Sequence, residues 1–539
     1  MPSPTLIKSS SLQNIFEDSN SRRELADALA VFLESQRWYA AKTATIQSVD
    51  ILDSVEIAGE SASFELILVS VTSNREIADC YALPISSLER SEAGSGNSVI
   101  ARFASQSSPD APDSLLVECS GQPEFWKAIT TVLAEQPLTT TSGRELKLSR
   151  TACSQFADAV TLHGSSFTIH SGEQSNSAVS IGDDFFLKLF RRPRVGQNPD
   201  AEIGIFLTDR TEFRNSPRVD ATIDISGDDG SRCLALISEQ VPATADAWTY
   251  TLRHLKDYWT RLADLDHKPQ SPPQVPAADS SETPKQLIDL IGDFRLDALQ
   301  LGRRTAELHS ALSSHDDDAD FAPEPLTRAS LNQLVDLIRS EVKSTCNLLK
   351  QANGASASDP RLPQLVSERA NKLLDNLSSF DVDQANVVSI RCHGDYHLGQ
   401  VLRTTTDFVI LDFEGEPDRP FDQRRQKRCA MKDVAGMIRS LHYASCAAAV
   451  GMLPLPDPSI SNPTLWQKFW FDHASAGFLD GYRQAAEGRS FLPANSTTFR
   501  QLLDCFLLEK VLYELRYEIN NRPDWVQIPL AGLNAVLGL

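Results

Sequence analysis

The 539-residue sequence has no Cys-x-x-Cys pair. Its nine cysteines (80, 119, 153, 233, 346, 392, 429, 446 and 505) are scattered and odd in number, which argues against both a disulfide framework and a zinc ribbon. Long apolar runs are missing as well. No stretch approaches the roughly 18 apolar residues of a membrane span, and "ASCAAAVGMLPLP" (444–456) is short and broken by proline. The opening "MPSPTLIKSS" lacks the apolar core of a signal peptide, so a reduced, cytoplasmic setting is expected. Excess positive charge is absent: a net charge of −21 opposes nucleic acid or anionic membrane as a partner held by electrostatics alone. There is no Gly-x-x-x-x-Gly-Lys-Ser/Thr segment, which argues against a P-loop nucleotide site, and there is no internal repeat.

What is present fits a globular chain with a small-molecule substrate. Hydrophobic residues make up 41% and charged residues 23%. The length exceeds what one hydrophobic core normally serves, so two or three domains are expected. Residues 21–34 (RRELADALAVFLES) carry helical apolar spacing, whereas 46–59 and 63–71 read as strands. Residues 1–100 therefore form a small α/β unit, and "LERSEAGSGNS" (88–98) is a loop. A helical intermediate segment, carrying "PEFWKAITTVLAEQ" (123–136), is expected over 101–150. Residues 151–245 are strand-rich, with "GDD" (182–184) as a hairpin turn between apolar runs. The proline-rich 268–283 is a linker or surface loop, and 246–539 is mostly helical.

Chemistry concentrates in "RCHGDYHLGQVLRTTTDFVILDFEGEP" (391–417), which holds two histidines, three aspartates and two glutamates. The runs 386–395 and 407–416 each end a β-rich stretch on an aspartate, Asp395 and Asp412. If they pair, both carboxylates emerge at one edge of a small sheet. Two carboxylates in one cleft repel unless something shared neutralises them. Magnesium with nucleotide phosphates does so, because the ion takes hard oxygen ligands from one or two carboxylates plus phosphate. Protein kinases set a catalytic Asp five residues before a metal-binding amide and follow with Asp-Phe-Gly. Here Asp395 precedes Gln400 by five, Asp-Phe-Glu follows at 412–414, and His393 opens the loop.

The strand-rich region supplies nucleotide partners. Lys188, in "FFLKLF" (185–190), is a cation in an apolar strand and needs a counter-charge. Glu202, at the start of a helical stretch, is the expected partner. "SGEQSNSAV" (171–179), with Glu173, Gln174, Ser175 and Asn176, reads as a turn covering phosphates through backbone N–H groups. "SEQV" (238–241), with Glu239 and Val241, reads as the hinge that meets adenine.

On these residues the chain resembles the bacterial maltokinases, in the aminoglycoside-phosphotransferase branch of the protein-kinase-like fold. "HGDYHLGQVL", "LDFEGEP", "KDVAGMIRSLHYA" (432–444) and "EKVLYELRYEINNRPDWVQIPL" (509–530) carry the resemblance, with "SQRWYAAK" (35–42) and "EQSNSAV" towards the N-terminus. It implies an α+β, bilobal kinase fold with a strand-rich N-lobe, a helical C-lobe and an N-terminal α/β cap. It implies ATP and Mg as cofactors and transfer of phosphate to maltose, giving maltose 1-phosphate for α-glucan synthesis. Asp395 would be the base, Gln400 and Asp412 the metal ligands with Glu414 assisting, and Lys188 with Glu202 the phosphate-positioning pair. Some relatives are fused to trehalose synthase, so association with that enzyme is a further expectation.

For the sugar, Leu508, Val511, Leu512, Leu515 and Ile519 form an apolar helix stripe, while Glu509, Tyr513, Arg516 and Asn520 share another face. These four are the sugar-site candidates; the alternative is a solvated helix face. The basic "RRQKR" (424–428) would draw nucleotide inward or form surface salt bridges. His309 reads as a core-edge residue, and Trp466 and Trp470 read as core. Glucosamine or aminoglycoside phosphorylation on the same fold is an alternative activity. A kinase-like binding module without catalysis is a second one, although the base and metal aspartates are both intact.

Overall fold

The computed structural model describes all residues except 1–4, 10–11, 37, 40–43, 61, 75–77, 90–97, 105–113, 157–165, 171–174, 266–269, 274–284, 352–359, 379, 418 and 539. Glu173 and Gln174, most of the 268–283 segment and most of the 88–98 loop lie outside the described residues. The chain divides into two compact units, Met1–Arg210 with Pro217–Gln240 and Thr211–Ser216 with Val241–Leu539.

The first unit begins with β1 (Thr5–Lys8), α1 (Leu12–Glu17) and α2 (Ser19–Ser35), followed by β2 (Ile46–Ala58), β3 (Ser63–Ser73), β4 (Ala78–Glu89), β5 (Ser98–Ala104) and β6 (Ser114–Glu118). The strands form a six-stranded sheet ordered β1-β5-β6-β4-β3-β2. Asp18 caps α2 by accepting the Ser21 N–H at 2.7 Å. The helix then lays Leu25, Leu29 and Phe32 on the sheet. Strand β3 reads as a nearly unbroken apolar run because both its faces are covered. Ile67 and Val69 join the α2 core, whereas the alternating Leu66 and Leu68 join a second core.

That second core is shared. It takes Phe125, Trp126 and Ile129 from α3 (Pro123–Glu135), together with residues of a seven-stranded sheet. The sheet comprises β7 (Leu138–Thr139), β8 (Glu145–Arg150), β9 (Phe167–His170), β10 (Ser177–Ile181), β11 (Phe185–Leu189), β12 (Val219–Gly227) and β13 (Gly230–Glu239), ordered β7-β8-β12-β13-β11-β10-β9. Its Val179, Leu187, Ile223 and Ile237 pack in the same core as Leu66 and Phe125. Helix α4 (Pro199–Arg210) follows β11. The expected helical segment over 101–150 needs correction. Only α3 is helical there; β5 and β6 complete the first sheet, and β7 and β8 belong to the second. β5, β6 and β8 each have a strand on both sides, and only β7 is an edge strand.

The second unit is mainly helical. Its principal elements are α5 (Ala247–Ala263), α6 (Phe294–Leu312), α7 (Arg328–Gln351), α8 (Leu362–Ser378), α9 (Met431–Ser445), α10 (Pro463–Ala485), α11 (Ser496–Asn521) and α12 (Gln527–Leu537). Asp246 caps α5 through the Thr249 N–H at 2.7 Å, and Asn495 caps α11. Helices α6 and α10 approach so closely that a Cβ on Gly302 would stand 1.9 Å from the Phe478 carbonyl oxygen. Only glycine fits there. Trp466 and Trp470 are fully buried core residues. Among the described residues no helix is long and apolar enough to cross a membrane.

Two small sheets carry the charged stretch. One contains β14 (Ala245–Asp246), β17 (Val401–Arg403) and β18 (Phe408–Ile410); the other contains β15 (Glu324–Pro325), β16 (Val388–Ile390) and β19 (Arg428–Cys429). The two β-rich runs therefore do not meet the condition considered from the sequence, because they do not pair with each other. β18 pairs with β17 and β16 with β15 and β19.

Candidate active site

The Asp395 loop is held from below. Asp433, on α9, is buried and accepts the His393 N–H at 2.8 Å and the Gly394 N–H at 3.0 Å. Nε2 of His309 lies 3.1 Å from the same carboxylate, and its Nδ1 lies 2.9 Å from the Tyr482 hydroxyl. Burial alone would raise the Asp433 carboxyl, but His309 and the loop amides outweigh it and hold it below its ordinary value. His309 is thus fully buried and part of the loop's support, not a core-edge residue.

His393 fastens the loop to the second run by donating from Nε2 to the Leu411 carbonyl at 2.8 Å. The Leu411 N–H in turn meets the Gln400 carbonyl at 2.9 Å, and Gln400 Nε2 meets Asp412 Oδ2 at 2.9 Å. Gln400 and Asp412 are therefore brought together at the open end of the β17–β18 ladder, just beyond the Val401–Ile410 pair. Gly394 has φ +88, and a Cβ there would stand 3.3 Å from the Gly415 Cα. Asp412 itself sits at φ +62, a left-handed conformation that costs an L-residue of order 1 kcal/mol and gathers at functional sites. An amide oxygen and a carboxylate side by side are hard donors of the kind Mg²⁺ takes, so the donor chemistry fits that ion.

Asp395 keeps a side-chain exposure of 20% and meets Lys510 Nζ at 3.0 Å. Burial pushes its carboxyl up, but Lys510 and His397 more than offset this and hold it below its ordinary value. Lys510, on α11, also reaches Glu416 Oε1 at 3.2 Å. Glu416 is buried and bound by Arg419 at 2.5 Å and Lys432 at 3.2 Å as well. Burial opposes its charge, yet Lys432, Lys510 and Arg419 hold it far below the usual carboxylate range. Arg419 continues to Glu509 Oε1 at 2.6 Å. A chain of alternating charge thus runs from Asp395 to Glu509.

Glu509 opens a cleft of about 360 Å³ in the second unit. All four sugar-site candidates, Glu509, Tyr513, Arg516 and Asn520, line it together with Glu416 and Arg419. The apolar stripe on the other face of α11 is buried at Leu508, Val511, Leu512 and Leu515. Arg516 pairs with Glu341 of α7, and Asn520 Nδ2 donates to the Arg516 carbonyl at 2.9 Å. Tyr513 stacks on Tyr517 and lies under the Lys510 ammonium. The 424–428 cluster is engaged in structure: Lys427 meets Glu324 at 2.7 Å, Arg425 meets Asp320 at 3.4 Å, and Arg424 Nε donates to the Arg419 carbonyl at 3.1 Å.

In the first unit, Lys188 is buried on β11 and meets Asp200 Oδ2 at 3.1 Å. Asp200 stands in the first turn of α4, two residues before the half-buried Glu202, and was not singled out by sequence. Asn176 is buried; its Nδ2 donates to Ser175 Oγ at 3.3 Å. At the expected hinge, the Glu239 N–H is spent on the Arg218 carbonyl at 2.9 Å, and the Gln240 N–H on Asp184 at 2.7 Å. Val241 is half-buried and begins the second unit's main segment.

Residues 32–111 match the family described as the maltokinase N-terminal cap domain. A glucosamine kinase of Streptacidiphilus jiangxiensis is 26% identical over 370 residues, spanning 68% of this chain and 72% of that protein. A glucosamine kinase of Mycolicibacterium smegmatis is 25% identical over 368 residues, spanning 68% of this chain and 78% of that protein. A solved glucosamine kinase structure superimposes with a TM-score of 0.58 at 20% identity, covering 91% of this chain and 94% of that one. The chain has a kinase-like fold bearing a maltokinase-type cap. The cap match falls within the six-stranded sheet and its helices, and so within the first unit.

Sequence reasoning missed Lys510, Glu416, Asp433 and Asp200. Lys510 follows Glu509 directly and lies off the apolar stripe of α11, so spacing gave it no signal.

Proposed function

We propose that the protein is an ATP-dependent kinase that phosphorylates a sugar hydroxyl, with maltose as the acceptor. The observation that carries this is the continuous ionic chain from Asp395 through Lys510, Glu416 and Arg419 to Glu509, which joins the base to the cleft lined by all four sugar candidates. Asp395 would orient and deprotonate the attacking hydroxyl, and its lowered carboxyl keeps it ionised for that task. Gln400 and Asp412, with Glu414 beside them in sequence, would hold Mg²⁺, which neutralises charge on the transferring phosphate. Lys188, steadied by Asp200, would bind nucleotide phosphate, with Glu202 nearby in sequence and Ser175 and Asn176 on the phosphate side.

The acceptor's chemistry is supported by charge. Glu416 and Glu509 are both already paired with cations in the molecule. An ammonium group added there would meet the repulsion of these cations, whereas neutral hydroxyls can bond to the carboxylates as they stand. This favours a neutral sugar such as maltose, whose 1-phosphate would feed α-glucan synthesis and agrees with the expected link to trehalose synthase. The second reading, glucosamine as acceptor, is favoured by the two relatives that are glucosamine kinases.

The test is ADP release with Mg-ATP against a panel of maltose, glucose, glucosamine and an aminoglycoside. Turnover with maltose and not glucosamine is expected. Turnover with glucosamine alone would move the assignment to the second reading. ATP binding without turnover on any sugar would favour a non-catalytic module.

A further inference from the structure

Arg191 follows β11 by two residues and is 2% exposed, yet it carries a full guanidinium charge. Its partners come from two sides of the first unit. From the cap, Glu118 Oε1 accepts Nη2 at 2.9 Å, Ser120 Oγ accepts the same nitrogen at 2.6 Å, and the Trp38 ring lies 4.9 Å from the guanidinium carbon. The Ala82 N–H of β4 also donates to the Arg191 carbonyl at 3.0 Å. From the phosphate side, Ser177 Oγ accepts Nε at 2.9 Å, and Asn176 Oδ1 accepts the Arg191 N–H at 3.4 Å. Ser177 is the first residue of β10, and its neighbour Ala178 sits opposite Lys188 in the ladder.

We propose that Arg191 is the positioning residue through which the cap sets Asn176, Ser177 and the Lys188 strand for nucleotide phosphate. The proposal rests on the reading of these residues as the nucleotide side. A buried guanidinium held at Nη2 by Glu118 and Ser120 and at Nε by Ser177 has little rotational freedom, so it transmits the position of Glu118 and Ser120 to β10 with little slack. Glu118 is itself fixed: its carboxylate accepts the Ser120 N–H at 3.1 Å and the Ser120 hydroxyl at 3.0 Å. The Ser120 carbonyl is anchored in turn by Trp126 Nε1 at 2.8 Å. The cap therefore acts on the strands that carry Ser177 and Lys188.

The test measures binding of Mg-AMP-PNP by calorimetry, together with separate KM values for ATP and for the sugar, in Arg191→Met, Arg191→Lys, Glu118→Gln and the Arg191→Met/Glu118→Gln double variant. Loss of charge-assisted bonds at one position is expected to weaken nucleotide binding about tenfold in Arg191→Met. The sugar KM should stay within about twofold and Arg191→Lys should recover part of the loss, as expected when a single cation still bonds but the fork is gone. Should Arg191→Met leave Glu118 buried without a partner and fail to fold, the near-isosteric Glu118→Gln carries the same test and is expected to weaken nucleotide binding by about threefold. Unchanged nucleotide affinity in folded variants, or equal rises in both KM values, overturns the coupling. If the unaltered protein itself binds no Mg-AMP-PNP, the kinase reading falls and the coupling with it.

Discussion

Lys510 Nζ stands 3.0 Å from Asp395 Oδ1 and 3.2 Å from Glu416 Oε1, a single ammonium between two carboxylates. Burial disfavours the Lys510 charge, but Asp395 and Glu416 hold it well above its ordinary value. Replacing it with methionine leaves Asp395 with burial and the Glu416 charge, both of which raise its carboxyl. The acid limb of the kcat/KM profile of Lys510→Met is therefore expected to move to higher pH, with activity at pH 6 falling more than at pH 8. A pH–rate profile of unchanged shape would speak against this role.

Asp395→Asn removes the proposed base while keeping size and hydrogen bonding. The expected loss in kcat is about a hundredfold or more, the usual range for a general base. Nucleotide affinity should be retained, and calorimetry with Mg-AMP-PNP separates the two effects.

Asp433→Asn keeps one acceptor but turns an amide donor toward His393 or Gly394, whose N–H groups both point at this side chain. A buried unsatisfied donor costs about 1–3 kcal/mol. The variant should therefore melt at a lower temperature, and kcat should fall at least about tenfold because the Asp395 loop loses its support. Full kcat in a destabilised variant would show that the loop keeps its geometry without Asp433.

Glu65, in β3, is buried and lies opposite Glu56 in the ladder. Burial, with the Glu56 charge, raises its carboxyl from 4.5 to about 7. The folded form holds this proton more tightly than the unfolded chain, so the stabilisation is fully present below pH 4.5 and is lost as pH rises through 7. The interval corresponds to at most about 3 kcal/mol. Glu65→Gln should flatten the decline, and its melting temperature should exceed that of the unaltered protein by more at pH 8.5 than at pH 5. Parallel melting curves across that range would contradict it.

Much of the first sheet was legible because β2 and β3 are long, apolar and rich in β-branched residues. The order His393, Asp395, Gln400, Asp412 was legible because local spacing carries that motif. Strand partnership was not: the sequence left the pairing of the 386–395 and 407–416 runs open, and β17, which lies between them, takes β18 while β16 joins β15 and β19. Lys510 meets Asp395 across 115 residues of chain, and Asp433 meets His393 across 40. Contacts at such separations depend on helix packing, which residue spacing does not encode.

Leu66, Phe125, Leu187 and Ile223 lie in one interior, so the cap and the seven-stranded sheet have no dry surface of their own to separate along. An amino-terminal deletion ending near Glu118 would leave the remaining sheet with bare aliphatic side chains, and insoluble product is the expected result rather than a minimal enzyme. Heating should give one cooperative endotherm for these first 240 residues, with no early step for the cap.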